Sequence, residues 1–313
     1  FTSTASSKLW YEKRLKMWKK LYKNAYNYLG ENMKKFFQII GILTLMVGSF
    51  IYTDKITTAS KETDELLLEI KSKKDGYKEN ATPPIIKDDT IIPGTSGKEV
   101  DVEKSYQNMR QVGYFDDKLL VYKKIPVDNP LDKNKDKYVI GGTNSKKEIS
   151  LIFKTTQNDD ITNIIKILNK NKIKGSFFID STYLEKHHNQ IINLIEDGHT
   201  IGNLSNNEDY EDSDFVWLKT IITNIGPQTY NYCYTPKPNK KIIKICSIQD
   251  SFTIMPTKII KQNPLMNIKK SLTPGAIISL EVDSALNNQI EAIINYILSK
   301  GYSIASLEDH LRE

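Results

Sequence analysis

The rhythm of apolar and polar positions divides the chain into an uninterrupted apolar run, a broken polar stretch and a long alternating region. Residues 36–52, FFQIIGILTLMVGSFIY, carry no charge and are apolar on every side apart from Gln38. As a helix this run is about 25 Å long, close to the minimum that spans a bilayer. Residues 61–75 suit a short polar helix, after which Pro83, Pro84, Pro93, Gly94 and Gly97 break regular structure. Residues 53–105 are therefore expected to form a stalk. An extension over 106–148 follows, with short strands expected at 118–125 and 137–141. After Glu148, strand-like runs (149–153, 175–179, 199–204, 229–235, 251–255, 276–281, 302–307) alternate with helix-like ones (159–171, 183–196, 214–225, 240–247, 286–299). In the first helix Ile161, Ile164, Ile165 and Leu168 recur at helical spacing, with Asp159 or Asp160 placed to cap its start. Gly198 and Gly301 stand just past helix ends, where a left-handed cap needs glycine. The alternation predicts an α/β domain of parallel strands over 149–313. About seven strand–helix units point to a barrel, whose sites gather on loops after the C-terminal strand ends.

Charge sharpens this division. Residues 1–35 hold nine Lys or Arg against two acids (Glu12 and Glu31), so they account for the formal charge of +6 and leave residues 36–313 near neutral. A basic protein overall would suggest nucleic acid. Here the excess abuts the apolar run, so membrane lipid is the expected partner of residues 36–52 and no nucleic acid is expected. Trp10, Tyr11, Trp18, Tyr22, Tyr26 and Tyr28 among the lysines of 8–35 suit the headgroup region of an inner leaflet. By the positive-inside rule, residues 1–35 are cytoplasmic and the remainder lies outside a single-pass cell-membrane anchor. The basic flank is long and no small-x-small cleavage site follows the run, so it reads as an uncleaved anchor rather than a signal peptide. Residue 1 is Phe rather than Met, which leaves the true N-terminus open.

The two cysteines, Cys233 and Cys246, are too few for a disulfide framework and match no zinc spacing. Two buried thiols are the expected state. A single bridge is the alternative if this part of the chain meets oxidising conditions.

The succession ISLIF, IKGSFFI, IINLIEDGHTIGN, LTPGAIISL and IINYILSKGYSIASLEDHL resembles the polysaccharide deacetylase (NodB-homology, carbohydrate esterase family four) domain over roughly residues 149–311. The resemblance implies a NodB-like distorted (β/α)7 barrel behind a single transmembrane helix and a stalk. It also implies metal-assisted hydrolysis of an N-acetyl group on a sugar. One Asp and two His of the family hold a divalent, zinc-like metal with an open position. A second Asp serves as base and a late His as acid.

This chain departs from that pattern at each motif. Lys154 stands in the place of the base and Thr155 in that of the metal-binding Asp. Gly202 and Asn203 persist, but Leu204 and Glu208 take the two histidine places. The R-P-P-Y-G motif becomes Thr235, Pro236, Lys237, Pro238 and Asn239. The L-H-D motif becomes Leu280, Glu281 and Val282, which removes the acid. Leucine coordinates nothing and threonine ligates weakly, so no metal cofactor is expected. Of the four histidines, His187 and His188 are adjacent on a helix and diverge by about 100°, which suits a solvated face. His199 falls at a family position that is not a ligand, and His310 lies far along the chain.

Two features remain on the former active face. Lys154 and Glu281 are expected near strand ends, either as two independently solvated side chains or as a pair in which the ammonium stands in part for the lost metal charge. The acidic loop of Glu208, Asp209, Glu211, Asp212 and Asp214 reads as a solvated charge run, with weak binding of calcium or magnesium, or of glycan amino groups, as its functional alternative. A ligand groove there would comprise Lys154, Glu281, Asp209, Tyr210 and Tyr234, with Trp217 either stacking on sugar or packing into the core. Three functions follow. The first is a catalytically inactive, membrane-anchored deacetylase-like protein that binds cell-wall glycan or an envelope protein. The second is an altered-site carbohydrate N-deacetylase, with Lys154 supplying charge and Glu281 or Glu208 a base. The third is a structural or signalling membrane protein working through residues 1–35.

Overall fold

The computed structural model describes the backbone of residues 3–62, 64–205, 210–226 and 231–313; within residues 3–62 it describes the side chains of 12–24, 30 and 33–50. The chain divides into two compact units, residues 1–75 with 101–121, and residues 76–100 with 122–313.

The first unit is helical. Helix α1 (Ser3–Glu62) is continuous, so the basic segment and the apolar run belong to one element. Its window Met33–Phe50 has a mean hydropathy of 1.3 and is long and apolar enough to cross a membrane. Helices α2 (Glu65–Lys73) and α3 (Val102–Met109) pack on each other through Leu67, Ile70, Tyr106 and Met109, all buried and spaced three apart on their helices. Asp64 caps α2 by accepting the Leu67 N–H at 3.2 Å, and its other oxygen accepts the Tyr106 hydroxyl at 2.7 Å. Those bonds to the charged form, the Tyr106 hydroxyl first, hold the Asp64 carboxyl below its ordinary value.

The second unit carries β1 (Ile85–Lys87), β2 (Thr90–Ile92), β3 (Gly97–Val100), β4 (Tyr122–Ile125) and β5 (Tyr138–Val139) ahead of the strand–helix repeat. That repeat runs β6 (Glu148–Thr155), α4 (Thr162–Lys170), β7 (Ser176–Ile179), α5 (Ser181–Glu196), β8 (Thr200–Asn203) and α6 (Asp212–Ile225). It continues with β9 (Tyr232–Tyr234), α7 (Lys240–Ile248), β10 (Phe252–Ile254), β11 (Lys258–Ile260), α8 (Pro264–Ser271) and β12 (Ile277–Glu281), and closes with α9 (Ser284–Ser299), β13 (Ser303–Ala305) and α10 (Leu307–His310). The sheet order is β1-β2-β5-β10-β9-β8-β7-β6-β12-β11, with β13 also on β6, and all pairs from β2 to β11 are parallel. This is the curled half-barrel of the NodB-like (β/α) fold.

Burial on both faces of the sheet explains the unbroken apolar strand sequences. Alternate residues of each strand separate into two layers. Leu151, Phe153, Phe177 and Ile179 pack outward against Ile164 and Leu168 of α4 and Ile290 and Ile294 of α9. Ile152, Phe178, Tyr234, Phe252 and Ile277 pack inward and fill the curl of the sheet. Gly202 lies on that inner surface because a Cβ there would stand 2.4 Å from the Phe178 ring.

The expected stalk is corrected over most of its length. Within 53–105, α1 continues to Glu62, α2 follows, and residues 76–100 belong to the barrel unit, with β2 paired to β5 and β3 to β4. The glycines read there as breakers serve close backbone approach: a Cβ on Gly97 would meet the Glu79 carbonyl at 2.2 Å, and the two segments are bridged at Glu79–Lys98 and Thr82–Thr95. The expected extension over 106–148 is likewise divided between the two units. Helix α3, β11 and α8 also lie outside the expected elements. The two cysteines are joined rather than free: Cys233 on β9 and Cys246 on α7 form a disulfide.

Candidate functional site

The C-terminal strand ends of β6, β12 and β11 bring three charges together. Lys154 and Glu281 are register partners on adjacent parallel strands, so their side chains leave the sheet at one height and on one face. The Lys154 ammonium lies 3.9 Å from Glu281 Oε1. Lys261, one residue beyond β11, places its ammonium 3.3 Å from the same oxygen. Both separations exceed a charge-assisted hydrogen bond, so these are charge contacts. Glu281 is about one-third exposed and Lys261 largely exposed, so each pair contributes about 0–1 kcal/mol. Lys261 was not among the expected site residues; its strand is only three residues long and carries no clear alternation.

Two of the positions that resemble the family's metal-holding places carry side chains turned into the core. Thr155 is fully buried, and its hydroxyl donates to the carbonyl of Phe153 on its own strand at 3.3 Å. Leu204 is fully buried within the inner apolar layer. Glu208 and Asp209 lie outside the described residues. Among the described residues no three His, Cys, Asp or Glu side chains group as a ligand set. The residues present therefore do not fit a conventional zinc site, on the donor chemistry of Thr155 and Leu204.

The aromatic side of the expected groove is corrected. Tyr210 is 1% exposed and Tyr234 2% exposed, so neither presents a face to a sugar. Tyr210 instead fastens the seam between β8 and β9, whose ladder is the single pair Asn203–Cys233. Its hydroxyl accepts the Tyr234 N–H at 3.0 Å and lies 2.9 Å from the carbonyls of both Asn203 and Tyr234, sharing its one proton between them. Tyr234 reaches across the inner layer, its ring 5.8 Å from that of Phe178 and its hydroxyl accepting from Ser279 on β12 at 3.3 Å. Trp217, by contrast, is 42% exposed on α6. Of the acidic loop, Glu211 pairs with Lys241 at 3.1 Å. The segment standing for R-P-P-Y-G has become a helix start, with Asn239 Oδ1 accepting the Lys241 and Ile242 N–H groups.

Two of the histidines are held within the core. His199 accepts the Gly175 N–H on Nδ1 at 3.0 Å and faces Asn169 Oδ1 through Nε2 at 3.1 Å, which fixes a neutral imidazole with its proton on Nε2. His310 Nδ1 meets Ser150 Oγ at 2.8 Å, and its Nε2 is buried without a partner. Burial pushes both imidazoles down to about 4. His187, expected on a solvated face, is half-buried and stacks on Tyr183 at 4.4 Å where α5 kinks.

Comparison with known proteins agrees with this fold. Residues 141–240 match the polysaccharide deacetylase family. The wild-type Bacillus anthracis BA3943, a CE4 family pseudoenzyme, matches at 21% identity with a TM-score of 0.62, covering 80% of this chain and 96% of that one. The chain has a NodB-like fold. A mutant of the same pseudoenzyme with restored enzymatic activity matches the NodB-like chain at 20% identity, also with a TM-score of 0.62, over 80% of this chain and 99% of that one. The uncharacterized protein YlxY of Bacillus subtilis is 25% identical over 245 residues, 71% of this chain and 75% of YlxY. In the NodB-like fold, Thr155 and Leu204 are fully buried.

Proposed function

We propose that this protein is a membrane-anchored, catalytically inactive deacetylase-like module that binds cell-wall glycan and so organises the envelope. The observation that carries the reading is Leu204, fully buried in the inner apolar layer at a place where the family needs a metal ligand. Thr155 and Lys154 at the other two motif positions support it, since neither supplies a carboxylate. The pseudoenzyme character of BA3943, a fold neighbour, points the same way. Two observations support an outward-facing domain. The basic flank precedes the apolar run, and the Cys233–Cys246 disulfide requires oxidising conditions.

The test is acetate release by the full chain in detergent micelles from N-acetylated cell-wall glycan, with zinc or cobalt added and an active deacetylase run in parallel. Release at the level of a heat-killed sample is expected, together with retention of the chain on the same glycan. Metal-dependent turnover lost in Glu281→Gln would replace this reading with an altered-site hydrolase.

A further inference from the structure

Helix α1 carries an apolar seam that no described residue covers. Leu15, Trp18 and Tyr22 are followed in the same seven-residue phase by Phe36, Ile39, Leu43, Met46 and Phe50. Within each group the spacing alternates between three and four, and Tyr22 and Phe36 stand fourteen residues apart, which keeps the two groups on one line. Every one of these side chains is at least 42% exposed. Lys13, Lys16, Lys20, Lys23 and Lys34 fall on the far side of the helix from that line.

Lipid accounts for only half of the seam. Acyl chains can cover Phe36 to Phe50, which lie within the membrane-length window that begins at Met33. Leu15 and Tyr22 precede Met33 by 18 and 11 residues, about 27 and 16 Å along a continuous helix. The headgroup layer of one leaflet is only about 5–8 Å thick. In the membrane-spanning orientation, α1 therefore carries Leu15, Trp18 and Tyr22 past the headgroups and into water.

A second helix with the same repeat covers both halves at once. A strict seven-residue pattern drifts by about 20° per repeat on a straight helix, so it stays against a partner only where the two supercoil left-handedly. The same crossing geometry is the common one between helices inside a bilayer. A second copy of this chain meets these demands without any further adjustment. Its own anchor delivers an identical seam at the same depth and in the same direction, so the register is set by the membrane.

Charge opposes the pairing in one place. Arg14 and Lys19 flank the seam and repel across a parallel pair. The basic part would not associate alone, but two spans held in one membrane raise its effective concentration. We propose that α1 pairs in parallel with α1 of a second copy along the line from Leu15 to Phe50, so that the protein is a homodimer through its anchor helix. This pairing rests on the membrane-anchored reading above and adds the partner of the anchor.

The deciding experiment is oxidative cross-linking of the full chain in membrane vesicles, with copper phenanthroline as oxidant and one new cysteine at a time. Tyr22→Cys and Leu43→Cys lie on the seam, and Lys20→Cys and Leu45→Cys lie off it. The wild-type chain, whose Cys233 and Cys246 are joined to each other, is the blank. Both seam variants are expected to give a band of twice the chain mass, and both off-seam variants only the level of the blank. Equal bands from seam and off-seam positions would mean random collision and overturn the pairing. A dimer from Leu43→Cys without one from Tyr22→Cys would overturn the continuous seam. A band of another mass would assign the seam to a different protein and overturn the homodimer. An alkaline carbonate wash of the same vesicles reads the anchor separately. A chain that stays in the pellet but gives no dimer overturns the pairing alone, whereas a chain released by the wash overturns the anchor and the pairing with it.

Discussion

At the scale of single residues, buried imidazoles are the groups with the clearest consequence. His199 and His310 are neutral in the fold, and burial holds both near 4, well below the ordinary value of 6.5. The unfolded chain takes up these protons from about pH 6.5 downward, while the folded chain does so only near pH 4. Stability is therefore fully present above pH 6.5 and is lost as pH falls from there to about 4. The loss amounts to about 3 kcal/mol for each imidazole. Urea unfolding of the solubilised chain at intervals between pH 7.5 and 4.5 is expected to show a steadily falling midpoint, with the fall reduced in His310→Asn. A midpoint that stays level across that range would mean that neither ring is buried as described. Residue identity also set what was legible about the site. Lys154 and Glu281 were readable as neighbours because each ends an apolar strand run whose place in the barrel order was clear. Tyr210 was misplaced because a loop position says nothing of whether an aromatic ring faces out, and Tyr234 because a strand covered on both faces gives its last residue no exposed side; both turn inward to polar main-chain or hydroxyl partners.

At the scale of elements, the seam between β8 and β9 is where the half-barrel depends on something other than ladder bonds. The strands meet at one register pair, Asn203–Cys233, and Tyr210 supplies hydroxyl bonds beside it. The disulfide from Cys233 to Cys246, 13 residues apart, fastens the same strand to α7. Closing a loop of that length stabilises the fold by about 3 kcal/mol, chiefly by restricting the unfolded chain. Reduction is therefore expected to lower the thermal midpoint of the barrel unit by roughly 6–12 °C. Calorimetry with and without dithiothreitol measures this, and an unchanged midpoint with both thiols free would show that the bridge carries no stability. The repeat of strands and helices was legible because double-sided burial writes long apolar runs and helical spacing into the chain. Strands β1, β2, β3 and β11 were not, since three or four residues hold too little alternation to separate from loop. The glycines at 94 and 97 were read as breaks although they mark two segments pressed together.

At the scale of the whole molecule, the arrangement of charge, apolar run and disulfide supports the proposed orientation. Helix α1 carries its basic residues before the Met33–Phe50 window, and the unit that follows contains a disulfide. Moving the 1–35 segment across a membrane would carry nine cationic side chains through a low-dielectric layer. Placing the barrel unit in a reducing cytosol would leave Cys233 and Cys246 as thiols. Both costs vanish in the same orientation, with residues 1–35 inside and the barrel unit outside. Intact cells treated with a membrane-impermeant, lysine-reactive biotin reagent are expected to label exposed lysines of the barrel unit such as Lys261 and to spare Lys13, Lys16 and Lys19. Permeabilised cells are expected to label both sets. Labelling of the basic segment in intact cells would reverse the orientation. The outward placement is also what the proposed glycan binding needs, because a domain facing the cytosol would be separated from the wall by the bilayer.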